Sequence, residues 1–276
     1  MEADNATTNG AAAPPVLLAR EVSVAYGPIR AVQEASIMVA EGSTTALVGA
    51  NGAGKSSLLK ALVGLVRMSA KELSVRGTDV RRLNTLARVR ELGMVLVPEG
   101  RAVFTGMTVD EGLEMGRRIG RIREKTGKVT AAVDVDTVFE LFPNLKERRR
   151  LLGQQLSGGE QQMLAVAKSL LMAPSILLVD EPSVGLAPKV VKGIFQTLAT
   201  IIRQYSVSIL LVEQDSKLAL DVANYAYVIS HGRVIAEGLP EAVRELPELR
   251  AAYLGAVPTT PGESSKPAAG EAVNQS

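Results

Sequence analysis

The 276-residue chain has no cysteine, one histidine, and no uninterrupted apolar stretch near the roughly 18–20 residues that span a bilayer. Without cysteine there are no disulfides and no thiolate metal sites, which fits a reducing compartment. Charge of one sign is also missing. The 31 basic residues nearly balance the 29 acidic ones, and a net charge of +2 gives no bias toward nucleic acid. The N-terminal MEADNATTNGAAAPP lacks the basic start of a secretion signal. It is expected to be a disordered tail over residues 1–15, and the Pro-, Ser- and Gly-rich residues 257–276 another. A folded domain is then expected over residues 16–256, with an apolar content of 46% for the chain that supplies ample core.

Within that domain, short β-like runs alternate with amphipathic stretches. Strands are expected at 16–26, 35–40, 44–49, 72–76, 93–98, 175–180, 206–212 and 225–230. Helices are expected at 55–66, 81–91, 108–125, 134–142, 157–173, 188–204 and 239–254. The alternation after residue 44 predicts an α/β fold, a sheet containing parallel strands with helices packed on it. Residues 100–155 look helical throughout and carry charge runs such as RRIGRIREK and KERRR, so a helical insertion is expected there. The lone His231 sits in VISHGRVIA, where His-Gly between two apolar runs reads as a two-residue hairpin turn and a structural role.

The most informative stretch is TTALVGANGAGKSSLLKALVGLV, residues 44–66. Gly49 to Ser56 fits G-x-x-x-x-G-K-[ST] between a strand and a helix, the setting a phosphate-binding loop requires. Its backbone N–H groups would turn around phosphate at a helix N-terminus. Lys55 would reach the β- and γ-phosphates, and the Ser56 hydroxyl would help to hold Mg²⁺. A second element, ILLVDEPS, is an apolar strand ending in Asp180 and Glu181. Asp180 would hold Mg²⁺ through water, and Glu181 beside the γ-phosphate would polarise an attacking water as general base.

The third element, LSGGEQQMLAVAKSLLM, opens on Leu156, Ser157, Gly158, Gly159 and Glu160. A Ser N-cap accounts for Ser157 but not for two consecutive glycines, which weaken a helix start unless backbone approaches something closely. The phosphate loop already has its own helix, so these residues are expected to serve a nucleotide held by another subunit. The apolar run SILLVEQDS, residues 208–216, ends abruptly on Glu213, Gln214 and Asp215. Ligands sit beyond the carboxyl ends of such strands, so these three side chains are expected near the site.

With GANGAGKSS, LSGGEQQ and ILLVDEPS followed by VGLAP in this order, residues 16–256 resemble the ATP-binding subunits of ABC transporters. The resemblance implies a P-loop NTPase fold with a mixed-sheet core and a helical subdomain at about 100–155. It also implies a head-to-tail dimer of ATPase subunits with ATP and Mg²⁺ at each interface. The nucleotide would be held by Tyr26 on the adenine, by Gly49, Asn51, Gly52, Ala53, Gly54, Lys55, Ser56 and Ser57, and by the partner copy's LSGGE segment. Two transmembrane permease subunits would sit against the helical subdomain at the cytoplasmic face of the membrane, and a solute-binding protein would act indirectly.

Finer wording narrows the resemblance. LVPEGRAVFTGMTVDEGL, ELFPNLKERR, LSGGEQQML, DEPSVGLAP and LLVEQ are similar to the branched-chain amino acid importer ATPases of the LivF type. Related amide and urea importers, and soluble ABC ATPases without a transport role, remain alternatives. Two positions depart from the wider family. Glu99 stands where a Gln usually senses Mg²⁺ and the γ-phosphate, and is expected on the metal side or at the permease interface. Gln214 stands where a His usually contacts the γ-phosphate. Its amide donates a hydrogen bond but carries no charge, so this site is expected to hydrolyse more slowly than its partner's.

Overall fold

The computed structural model describes residues 15–100, 106–127 and 133–254. The expected tails fall outside these residues, apart from Pro15, and so do residues 101–105 and 128–132 of the expected helical insertion. Ten strands are described: β1 (Pro15–Tyr26), β2 (Ile29–Ala40), β3 (Thr44–Val48), β4 (Glu72–Val75), β5 (Thr78–Asp79), β6 (Met94–Val97), β7 (Ile176–Asp180), β8 (Ser208–Glu213), β9 (Tyr225–Ser230) and β10 (Arg233–Gly238). The helices begin with α1 (Lys55–Leu62), α2 (Thr85–Leu92), α3 (Val109–Lys125), α4 (Val135–Leu141) and α5 (Pro143–Glu147). They continue with α6 (Gly158–Leu171), α7 (Pro188–Tyr205), α8 (Ser216–Leu220), α9 (Pro240–Glu245) and α10 (Pro247–Leu254).

The near-continuous apolar runs form the middle of a six-stranded sheet in the order β10-β9-β3-β8-β7-β6. β9, β3, β8, β7 and β6 run parallel, and β10 returns antiparallel beside β9, making the mixed sheet expected. Every residue of β3, β7 and β8 is buried, as a parallel strand covered on both faces demands. Alternate residues of β8 feed two cores: Ile209 and Leu211 pack with α6 and α7, Leu210 and Val212 with α1 and the smaller sheet. That smaller sheet is antiparallel, in the order β2-β1-β4-β5.

Several boundaries depart from expectation for local reasons. The helix expected at 239–254 is two helices, because Pro247 has no N–H to continue the first. The helix expected from residue 81 starts at Thr85, where the Asn84 side chain accepts from the Ala87 N–H. The strand expected at 35–40 begins at Ile29, since it pairs along most of its length with β1 as a hairpin. The hairpin turn at His231 is present, with φ of 48° at His231 and 79° at Gly232, the pair of positive values a tight right-twisting turn uses.

Candidate functional site

Four adjacent strands of the large sheet, in the order β3-β8-β7-β6, each end at one cleft. Beyond β3 comes the phosphate loop, beyond β8 comes Gln214, β7 ends on Asp180 with Glu181 next, and two residues beyond β6 lies Glu99. Asn51, Gly52, Gly54, Lys55, Ser56, Ser57, Glu99, Glu181 and Gln214 line a cleft of about 370 Å³, joined by Ala31 from β2. Chain separations of more than a hundred residues thus collapse to one place. A larger, mostly apolar groove runs along α7 and α8 and contains none of the phosphate loop.

The loop is shaped for an anion. Gly54, the residue before α1, has φ of 105°, and a Cβ there would meet the Ala31 carbonyl oxygen at 2.3 Å. No side chain caps α1, whereas Asn84, Thr108, Asp134, Ser157 and Asp215 cap α2, α3, α4, α6 and α8. The first-turn N–H groups of α1 therefore face the cleft with no side-chain acceptor, at the positive end of the helix dipole. Two loop residues act through the backbone alone: Ala53 is buried in the core, and a Cβ on Gly49 would strike the Ile229 carbonyl at 2.2 Å. The hairpin turn supports the loop from behind, its Gly232 N–H donating to the Ala53 carbonyl at 2.9 Å.

Lys55 ties the phosphate loop to the residue after β7. Its ammonium donates to the Gly49 and Ala50 carbonyls at 2.8 and 3.0 Å, and pairs with the Glu181 carboxylate at 3.0 Å. Both partners are almost fully buried, so removing either one would leave an uncompensated charge inside the protein. Glu181 itself has φ of 43°, a strained conformation for a non-glycine residue. Its N–H donates to the Val212 carbonyl at 2.9 Å, which fixes the turn that points the carboxylate into the cleft.

Beside it, the Ser56 hydroxyl donates to Asp180 Oδ1 at 3.0 Å. Burial pushes the Asp180 carboxyl up to about 6, with Glu181 and Glu99 adding to the rise. Glu99 shares the cleft lining with Ser56 and Glu181. A hydroxyl and carboxylates crowded at one place are an all-oxygen donor set suited to Mg²⁺. Among the described residues no group of three or more His, Cys, Asp or Glu could hold an ion alone.

The three residues that end SILLVEQDS part company. Only Gln214 enters the cleft wall. Asp215 turns away to cap α8, accepting from the Lys217 and Leu218 N–H groups at 3.0 and 3.2 Å. Glu213 points inward, fully buried, and accepts from the Ser183 N–H at 3.0 Å, the Ser183 hydroxyl at 2.8 Å and the Gln214 N–H at 3.2 Å. Of the three residues expected near the site, only Gln214 lines it, since the covered strand β8 keeps Glu213 inside and helix capping claims Asp215.

Burial raises the Glu213 carboxyl to about 7, against hydrogen bonds from Ser183 that lower it. The folded chain thus holds this proton to higher pH than the unfolded chain. Its stabilising effect is complete below about pH 4.5 and is lost as pH rises through 7. Relative to wild type, Glu213→Gln is expected to be about 3 kcal/mol more stable at pH 8 than at pH 5. Urea unfolding of both proteins at the two pH values measures this, and a pH-independent difference would show that Glu213 is ionised throughout.

The LSGGE segment lies outside the cleft lining. Ser157 caps α6 in a capping box with Glu160, whose Oε2 accepts from the Ser157 N–H at 2.8 Å. Leu156 is 5% exposed and belongs to the core, so it seats the segment instead of presenting a side chain. Gly159 has a reason within the chain, since a Cβ there would lie 2.5 Å from a Val190 methyl. The glycine pair is therefore explained in part by helix packing, a reason local sequence could not supply. Tyr26 is 44% exposed at the end of β1 and does not line the cleft.

Residues 32–184 match the ABC transporter family. The high-affinity branched-chain amino acid transport ATP-binding protein BraG of Pseudomonas aeruginosa is 40% identical over 85% of this chain and 97% of its own length. A probable branched-chain amino acid transport ATP-binding protein, LivF of Archaeoglobus fulgidus, is 30% identical over 86% of this chain and 98% of its own. Among solved structures, the ATP-binding cassette MJ1267 in its ADP conformation superposes with a TM-score of 0.73 at 23% identity, covering 88% of this chain and 99% of that one.

Proposed function

This chain belongs to the ABC transporter ATP-binding family, and we propose from that premise that it powers uptake of branched-chain or related amino acids. Members of the family are nucleotide-binding, ATP-hydrolysing subunits that dimerise and work with transmembrane permeases. No helix among the described residues is long and apolar enough to cross a membrane itself. The observation that carries the catalytic reading is the buried Lys55–Glu181 pair at the mouth of an uncapped helix, beside Ser56 and Asp180. For the solute, the support is the 40% identity to BraG along nearly its whole length.

In this reading the glycine loop and the first turn of α1 wrap the phosphates, and Tyr26 stacks on the adenine. Ser56 and Asp180 would hold Mg²⁺, with Glu99 beside them, and a bound ion would supply positive charge next to the phosphates. Lys55 leaves Glu181 for the β- and γ-phosphates. Freed of its partner, the Glu181 carboxylate accepts a proton from the attacking water. Gln214 donates its amide N–H toward the terminal phosphate. Ser157, Gly158, Gly159 and Glu160 close the site on a second ATPase subunit, their helix start facing that subunit's nucleotide. Residues 100–155 meet the permease subunits on the cytoplasmic face, where a solute-binding protein outside feeds them.

The test is transport. Reconstituted in liposomes with its permease subunits, the chain should drive ATP-dependent uptake of labelled leucine, isoleucine or valine, and Lys55→Ala should stop it. Hydrolysis that drives amide or urea uptake instead would overturn the solute. Absence of any ATP hydrolysis would overturn the catalytic reading.

A further inference from the structure

From the far end of the chain, the last turn of α10 reaches the backbone of Gln214, a residue of the cleft wall. This helix packs on β9 and β10, with Leu249 and Ala252 buried beneath it. From it the Tyr253 hydroxyl donates to the Gln214 carbonyl at 2.7 Å. Burial raises the Tyr253 phenol to about 12, with Asp215 and Glu213 adding to the rise. The phenol thus ties the C-terminal helix to the segment after β8.

The peptide groups of Gln214 are held on both sides. Its N–H goes to the Glu213 carboxylate at 3.2 Å, and its carbonyl to Tyr253. The following residue is fixed as well, since Asp215 caps α8. Among the described residues the Gln214 side chain has no hydrogen-bond partner, and it forms part of the cleft wall. A backbone held this firmly next to a loose side chain sets the direction in which that side chain projects. Glu213 belongs to the same strand, so its hold is local. Tyr253 is 39 residues away, and its hold depends on α10 being docked.

We infer that Tyr253 is a positioning residue for ATP hydrolysis: its hydroxyl pins the Gln214 carbonyl and so aims the Gln214 amide at the terminal phosphate. This rests on the reading of the cleft as the ATPase site with Gln214 facing that phosphate. It makes the docking of the C-terminal helix a condition for full turnover, although no residue of α10 lines the cleft.

A double-mutant cycle in the full chain assembled with its partner subunits tests it. Tyr253→Phe keeps the buried ring and removes one hydroxyl. It is expected to lower kcat about fivefold, the loss of one hydrogen bond, while KM for ATP changes by less than about twofold. In a Gln214→Ala background, the same substitution is expected to change kcat by less than about 1.5-fold, because what it aims has gone. A merely structural Tyr253 would give the same loss in both backgrounds, which overturns the inference. So does a kcat unchanged by Tyr253→Phe alone, or a wild-type kcat in Gln214→Ala. In each of these cases the active wild type leaves the ATPase site standing. An assembled wild type that neither binds nor hydrolyses ATP overturns the site and the inference together.

Discussion

Glu181→Gln is expected to cut single-turnover ATP hydrolysis by a factor on the order of 10²–10⁴ while tightening the binding of a non-hydrolysed ATP analogue. Two separate properties of the carboxylate produce the two effects. As a base, it is the group aimed into the cleft by a strained turn at φ of 43° and anchored through its N–H to β8. The amide of glutamine keeps the shape but takes no proton from water. As an ion-pair partner, it holds Lys55 at 3.0 Å in a nearly dry setting, and nucleotide binding has to break that pair. Glutamine holds the ammonium less strongly, so Lys55 reaches phosphate at a lower cost, and affinity is expected to rise about tenfold, or 1.4 kcal/mol. Single-turnover kinetics and equilibrium binding report the two effects independently. Unchanged hydrolysis would remove Glu181 as the base. Unchanged or weaker affinity would mean that the Lys55–Glu181 pair does not restrain binding.

Arg123→Leu is expected to destabilise the chain by about 3–5 kcal/mol, a large part of the roughly 5–15 kcal/mol that holds a typical domain folded. Arg123 lies on α3, is 1% exposed, and receives no carboxylate among the described ion pairs. Its guanidinium instead donates to the Ala173 carbonyl at 2.9 Å and to the Val89 and Arg90 carbonyls at 3.1 Å each. These carbonyls belong to the end of α2 and the residues just after α6, where helix dipoles end negative and favour a cation. Burial lowers the guanidinium to about 10, so it stays charged at neutral pH. Leucine would fill much of the volume but take the guanidinium donor away from three carbonyls, of which that of Val89 keeps the Gly93 N–H, the costly kind of loss. Arg123→Lys should recover only part of the stability, since one ammonium cannot span acceptors that a planar fork reaches in several directions. Urea unfolding compares the three proteins, and a leucine variant as stable as wild type would show that water satisfies those carbonyls.

Gly93 marks the same junction from the other side. A Cβ there would lie 2.5 Å from the Arg123 guanidinium, and its φ of 67° ends α2. In the sequence, Arg123 is one charge in the run RRIGRIREK, which reads as a solvated helix face. Helical periodicity places Arg123 on the same face as the buried Gly116 and Gly120, a signal that two small residues under a helix can hide. Arg88 follows the same logic one helix earlier, buried with its guanidinium on the Ala61 carbonyl at the end of α1. Buried arginines that cap helix ends look like surface charge until the neighbouring helices are known.

What the sequence determined by itself was local and contiguous. A phosphate loop, a strand ending in Asp180 and Glu181, and a Ser-capped helix start are each written within a few consecutive residues, because backbone conformation there follows from glycine, apolar pattern and capping. The parallel strands were legible for the same reason, as apolar runs too long to face water on either side. Tertiary structure alone decided which polar residues meet. The strand order β3-β8-β7-β6 sets Gln214 between the phosphate loop and Glu181, and the covering of both faces of β8 buries Glu213 one residue earlier. Lys55 finds Glu181 across 126 positions, and Tyr253 finds Gln214 across 39, through packing that no local preference encodes. Such contacts depend on how whole helices settle on a sheet, and a hydrogen bond is made or lost within an ångström of that settling.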